Sequence, residues 1–337
     1  MTAPLPRPIA PAAPASKPNV ALVQRTVEGI LGQVRQVIVG KHQVLRYVAA
    51  GIVTEGCHIL FEDMPGLAKS VMANAVSQAA GCEFRRIQFT PDLLPGDITG
   101  TSIYSAQEGK FSFRAGPIFC NFLLADEINR ASPKTQSALL EAMAEKQVSV
   151  EGTTMRLPVP FMVLATQNPV EQEGTYPLPE AQLDRFMLKL SMGYPSRDEE
   201  KEILMRRAKR GKDSFEVKPV SSPEQLKQMA AIVEQIHVSP AIYDYIADII
   251  DKTRTHPDLH AGASPRGSLA LFKLSRSWAA IHGRTYVTAD DVRDLIMPVL
   301  AHRVILRPEA RLAGKNGSSV MRDIIESTPV PKFTVSP

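Results

Sequence analysis

Five short strand-like runs, most of them apolar, punctuate the first part of this chain: CHILF (57–61), FRRIQF (84–89), NFLLADE (121–127), PFMVLATQNP (160–169) and FMLKLSM (186–192). Segments with apolar residues at helical spacing separate them, notably SVMANAVSQAAG (70–81) and KTQSALLEAMAE (134–145). Strands that alternate with helices form a mostly parallel sheet covered on both faces. Such a sheet binds ligands beyond the carboxyl ends of its strands. Three of these ends carry polar groups: the first run leads into FEDMPGLAKS (61–70), the third stops at Asp126 and Glu127, and the fourth at Asn168. The shared location of the three weighs more than any one motif.

FEDMPGLAKS is nearly a phosphate-binding loop. The usual pattern has glycine, four residues, then Gly-Lys-Ser/Thr, so that backbone amides face the phosphates and the lysine adds charge. Asp63 and Ala68 stand at the two glycine positions, while Pro65, Gly66, Leu67, Lys69 and Ser70 preserve the path and its end. Ala68 adds only a methyl group. An Asp63 carboxylate aimed at a triphosphate would repel it, so it is expected to face away or to cap local amides. Taken alone, the stretch also reads as an ordinary loop that happens to end in Lys-Ser.

The acids alter that balance. Asp126 beside the Ser70 hydroxyl suits Mg2+ held through water, Glu127 suits activation of an attacking water, and Asn168 has both donor and acceptor groups to fix that water.

The string 20–40 is helical, with Val23, Val27, Ile30, Leu31 and Val34 on one broad face, and a second helix follows Val39 and Gly40. His42, at its start, is either close to an adenine through Val39 and Gly40 or solvated. Between strands, 89–100 is loop-like with one short helical turn, and 101–118 and 146–159 alternate as hairpins. SRDEEKEILMRRAKR (196–210) closes the first unit. Beyond a polar stretch at 211–223 no sheet is expected. Four helical patterns begin at 222, 239, 264 and 288 with Ser or Thr caps or early prolines, and a shorter one spans 318–327. The expected division is a Pro/Ala-rich tail (1–18), an α/β nucleotide domain (19–212) and a helical lid with its C-terminal tail (213–337). The tail is too poor in apolar residues to fold.

The formal charge of +4, from 39 basic and 35 acidic residues, is too small to argue for nucleic acid. Cys57, Cys82 and Cys120 lack metal-ligand spacing and read as reduced core thiols of a cytoplasmic protein. No membrane span and no secretion signal are expected.

GLAKS, LLADEINRASPKTQSALLEAMAEKQVSV and LATQNPVEQEGTYPLPEAQLDRF resemble the MoxR family of AAA+ ATPases, and the likeness covers roughly residues 20 to 330. It implies an α/β fold: an AAA+ P-loop core with a five-stranded parallel sheet, helices on both faces and hairpin insertions, followed by an all-helical lid. It implies ATP and Mg2+ as cofactors, Lys69 and Ser70 as Walker A residues, Asp126 and Glu127 as Walker B acids and Asn168 as the sensor. Arg185 matches the arginine that reaches an adjacent subunit's nucleotide, although the residues alone equally allow a surface or structural arginine. Arg266 matches a lid arginine that senses the γ-phosphate of its own subunit, with Gly262 and Gly267 easing its approach. Arg130 is placed at a subunit contact. The resemblance further implies a hexameric ring, a von Willebrand factor A domain partner and chaperone-like maturation of client complexes, including metalloenzymes, with the hairpins either moving with the nucleotide or packing the ring. A nucleic-acid remodelling motor and a weakly hydrolysing scaffold are the alternatives. Asp63 departs from the family's glycine, which bears on nucleotide tightness and turnover rather than on the fold.

Overall fold

The computed structural model describes residues 18–105, 109–150, 152–169 and 174–331. The Pro/Ala-rich segment before residue 18, residues 106–108 and 151 of the two expected hairpin turns, residues 170–173 and residues 332–337 lie outside them.

Helices α1 (Val20–Val34) and α2 (His42–Ile52) precede strand β1 (Ile59–Glu62) and helix α3 (Lys69–Ala79). β2 (Phe84–Gln88), the short α4 (Pro95–Thr99), the hairpin β3 (Gly100–Ser105) and β4 (Lys110–Ala115), and β5 (Phe122–Asp126) follow. Next come α5 (Pro133–Glu145), the hairpin β6 (Gln147–Val150) and β7 (Thr153–Arg156), β8 (Met162–Gln167), α6 (Glu180–Leu183), β9 (Leu188–Leu190) and α7 (Arg197–Arg210). All five strand runs read from the sequence join one sheet in the order β2-β5-β8-β1-β9, and every pairing in it is parallel.

The inner strands β1, β5 and β8 read as continuous apolar runs because both faces are covered, whereas the edge strand β2 exposes Arg85 and Arg86. Ile59, Phe61, Phe122, Leu124 and Leu164 point into one core, whereas Leu60, Leu123, Ala125, Val163 and Ala165 point into the other. The second core is closed by α5, through Leu139, Leu140 and Met143. The first is shared with the C-terminal helices: Leu226, Ile249, Leu271, Leu274, Leu295 and Ile324 belong to the same apolar cluster as Val27, Ile30 and Leu31 of α1. The lid is therefore joined to one sheet face by hydrophobic burial.

That lid contains α8 (Pro223–Val233), α9 (Pro240–Thr255), α10 (Pro265–Ile281), α11 (Ala289–Leu300), α12 (Pro308–Leu312) and α13 (Gly317–Ser327). Three of the four expected starts are capped by a side chain: Ser222, Ser264 and Thr288 each accept a backbone N–H of the following turn, whereas Ser239 does not and α9 opens on Pro240. Such caps satisfy amide groups that have no partner inside the helix. One feature departs from the sequence reading. β10 (Leu259–Ala261) and β11 (Ile305–Leu306) form a small antiparallel ribbon that ties the chain after α9 to the chain after α11. Segments of three and two residues carry too little alternation to be read. Among the described residues no helix is long and apolar enough to cross a membrane.

Candidate nucleotide site

At the carboxyl ends of β1, β5 and β8 lies a pocket of about 300 Å3, lined by the loop 65–70 together with Asp63, Arg86, Gln88, Asp126, Glu127, Thr166 and Asn168. Of the residues expected around this subunit's own nucleotide, Val39, Gly40 and Arg266 do not line the pocket; Arg185, expected to reach a neighbour's nucleotide, lies outside it as well.

The loop turns at Gly66, whose φ of +83° suits glycine. Ala68 adopts the left-handed conformation (φ 58°, ψ 20°) as the N-cap of α3, without a side-chain cap. A non-glycine residue there costs about 1–2 kcal/mol. The first amide groups of the eleven-residue α3 thus have no side-chain acceptor and open onto the pocket, as anion binding at a helix N-terminus requires. The buried Lys69 ammonium donates to the carbonyls of Asp63 at 2.9 Å and Met64 at 3.1 Å. Burial lowers its pKa, while Asp63, Asp126 and Glu127 oppose that shift.

The Asp63 carboxylate faces away from the phosphate path. It accepts from the Ser191 hydroxyl and the Met192 amide, both at 2.6 Å, and from the Gly193 amide at 3.2 Å, pinning the start of the loop to the end of β9. The residue that departs from the family pattern is thus an amide cap.

Ser70 Oγ donates to Asp126 Oδ2 at 3.3 Å, so hydroxyl and carboxylate converge on one point. Thr166, which the sequence reading missed, orders both acids. Its hydroxyl donates to Asp126 Oδ1 at 2.6 Å and accepts the Glu127 amide at 2.8 Å. Glu127 is itself left-handed (φ 56°, ψ 49°), and its carboxylate accepts from Gln88 Nε2 at 2.7 Å and Arg130 Nη1 at 3.0 Å. Backbone strain of this kind clusters at functional sites. Within this subunit Arg130 therefore holds Glu127. Asn168 is buried at the mouth of the pocket, and its carbonyl accepts from Asn129 Nδ2 at 3.5 Å. A hydroxyl paired to a carboxylate, a lysine and an uncapped helix N-terminus make a donor set that fits Mg2+ and a triphosphate.

The other predicted residues lie elsewhere. Val39 is buried and Gly40 turns with φ +66°, but neither lines this pocket; His42 is exposed at the start of α2. Arg185 and Arg266 line a separate cleft, also of about 300 Å3, which shares no lining residue with the phosphate pocket. Arg266 Nη1 is 3.7 Å from Asp184 Oδ2, and Arg185 Nη1 donates to the Leu140 carbonyl at 2.5 Å. Arg266, expected to sense its own subunit's γ-phosphate, does not line that subunit's pocket; the lid sets it in the cleft of Arg185. Nor do the two glycines clear its way. A side chain at Gly262 would collide with the Thr253 backbone at 2.5 Å, and one at Gly267 would press on Leu300 at 3.1 Å. Both serve packing.

Asp184 organises this second cleft. It pairs with the buried Arg303 and accepts the Ser264 hydroxyl at 2.9 Å. Arg303 also donates to the carbonyls of Phe186 at 2.7 Å and Val299 at 2.8 Å, so one guanidinium links the segment 184–186 to the lid.

The family model for the ATPase family associated with various cellular activities (AAA) matches residues 58–188, and that for the AAA lid domain matches residues 251–324. Chaperone MoxR1 of Mycobacterium tuberculosis is 40% identical over 97% of this chain and 88% of its own length. The chain belongs to the MoxR family of AAA+ ATPases. A second relative, the uncharacterized protein YeaC of Bacillus subtilis, is 47% identical over 91% of this chain and 97% of its own. The crystal structure of a Cytophaga hutchinsonii protein assigned as an ATPase superposes with a TM-score of 0.86 at 38% identity, covering 93% of this chain and 97% of that one. This MoxR-family protein is accordingly an ATP-hydrolysing enzyme, and its AAA+ core and lid are those the sequence implied.

Proposed function

We propose that this MoxR-family ATPase works as a ring, hydrolysing Mg-ATP between subunits to drive chaperone-like maturation of a client complex. In this reading residues 19–212 are the nucleotide domain and 213–337 the lid. The observation that carries it is the separation of the two clefts. Arg185 and Arg266 share a cleft apart from the subunit's own phosphate pocket. Two arginines so placed are suited to a neighbour's nucleotide, where a guanidinium stabilises charge developing on the transferred phosphoryl group.

Each remaining role follows from chemistry at the strand ends. Ser70 and Asp126 hold Mg2+, which when bound neutralises phosphate charge. Lys69 leaves its two carbonyls for the phosphates. Glu127 takes the proton of the attacking water, and Asn168 orients that water. The hairpin β3–β4 exposes Ile103, Tyr104 and Phe111, with the Tyr104 and Phe111 rings 5.2 Å apart, an apolar surface that supports client contact. The likeness to Chaperone MoxR1 supports the chaperone role. A hexamer, a von Willebrand factor A domain partner and a metalloenzyme client extend the same reading, and the cytoplasm is its compartment.

The test is subunit mixing. Glu127→Gln and Arg185→Ala proteins are each expected to be inactive, whereas an equal mixture regains about a quarter of wild-type turnover, the share of random interfaces that join an intact pocket to an intact arginine. No recovery in mixed assemblies would refute action between subunits.

A further inference from the structure

Arg86 was not among the residues that the sequence pointed to, yet it bonds twice to the first of the two acids. It projects from β2, the edge strand of the sheet, into the phosphate pocket. Its guanidinium donates from Nε at 3.0 Å and from Nη2 at 2.7 Å to a single oxygen, Asp126 Oδ2. Nη2 also donates to Gln88 Oε1 at 2.5 Å, and the amide end of Gln88 holds the Glu127 carboxylate at 2.7 Å. One line of bonds thus runs from Asp126 through Arg86 and Gln88 to Glu127.

We propose that Arg86 is the resident cation of the Asp126 carboxylate and that it gives way when a divalent cation arrives with the nucleotide. The proposal rests on the reading of this pocket as the Mg-ATP site.

The count of donors at one oxygen drives the inference. Asp126 Oδ2 already accepts three, two from Arg86 and one from Ser70 Oγ. A carboxylate oxygen offers about two lone-pair sites. Water bound to a metal can therefore reach it only if a present donor leaves. Ser70 need not leave, because its oxygen can face the metal while its proton still points to Asp126. Thr166 sits on the other oxygen, is buried, and is fixed by the Glu127 amide. Arg86 is the mobile partner: its side chain is half exposed, so its charge passes into water at little cost. A second cation on the same carboxylate also repels it.

Arg86 acts through Asp126, as a positioning residue.

Mg2+ titrated calorimetrically into wild-type, Arg86→Gln and Arg86→Lys proteins at saturating ADP tests this directly. Removing the competitor should lower the half-saturating Mg2+ concentration in Arg86→Gln by roughly three- to tenfold, the scale of a charge-assisted pair that is partly exposed. Arg86→Lys keeps a cation but not the forked contact, and should fall between the two. ATP turnover at limiting Mg2+ should rise in Arg86→Gln relative to wild type. A half-saturating concentration in Arg86→Gln equal to or above that of wild type would overturn the proposal. If wild type itself shows no Mg2+-dependent ADP binding, the pocket reading fails as well; if it binds and only the variant shift is missing, the Arg86 interlock alone fails.

Discussion

Restoring the family's glycine at Asp63 should harm this protein. A triphosphate loop with an acid at its first glycine position invites the opposite expectation, that Asp63→Gly would remove a repulsion and tighten ATP binding. The geometry argues against it. The carboxylate is buried and accepts the Ser191 hydroxyl and the amides of Met192 and Gly193, and the Met192 amide is buried with it. A hydrogen bond to a charged acceptor contributes about 1.5–3 kcal/mol, and a buried donor left unpaired costs about 1–3 kcal/mol. Three such bonds are not additive, so about 4 kcal/mol is the working figure for their joint loss. For a chain of this size each kcal/mol moves the melting point by about 2 °C, which places Asp63→Gly roughly 8 °C below wild type. Asp63→Asn keeps the shape but turns a donor toward those same amides, and should lose nearly as much. Because the Asp63 carbonyl also receives the Lys69 ammonium, a loosened loop should leave the Michaelis constant for ATP unchanged or raised. Differential scanning calorimetry and steady-state ATPase assays read both quantities. An Asp63→Gly protein that melts within about 2 °C of wild type and binds ATP tenfold more tightly would refute the reasoning.

Two further expectations follow from other parts of the structure. Thr166→Val keeps the side-chain shape but removes the hydroxyl that bonds both acids; turnover should fall about 10- to 100-fold with nucleotide affinity nearly unchanged, as for other residues that orient catalytic groups, and equal turnover would exclude that role. Stability should decline in mild acid, because burial pushes His58 down to about 4 and His302 to about 3. Their unfolded values lie near 6.5, so the unfolded chain takes up more protons below that pH: the stabilisation is complete above 6.5 and is lost as pH falls toward 4 and 3. At pH 5 each histidine accounts for about 2 kcal/mol of lost stability, and denaturant midpoints between pH 7 and 5 should flatten in His58→Gln; an unchanged slope would contradict this.

The sheet was legible because a strand buried on both faces has to be apolar along its whole length, and CHILF, NFLLADE and PFMVLATQNP are. The strand-end pocket was legible for the same reason in reverse: Asp126, Glu127 and Asn168 break those runs where the strands end, and Lys69 follows the first of them across one loop. What escaped the reading depends on which way a side chain leans, or on pieces too short for a period. Arg86 and Gln88 look like ordinary polar positions of an edge strand, and only the pairing of β2 with β5 sets Gln88 opposite Asp126. Thr166 is one small residue in an apolar run. The placement of Arg266 beside Arg185 follows from how the lid packs on the sheet, through Arg303 and Asp184, distant in sequence. The conformation of Ala68 shows the loop accepting the strain that a glycine would have avoided.

The most direct test of the strand-edge pocket compares Mg-ATP binding and phosphate release in wild type, Lys69→Ala and Glu127→Gln. Wild type should bind and turn over; Glu127→Gln should bind comparably but hydrolyse at least about 100-fold more slowly, since it keeps the phosphate contacts and loses the base. Lys69→Ala should fail to bind. Three proteins that bind and hydrolyse ATP alike would show that the chemistry takes place somewhere other than the ends of β1, β5 and β8.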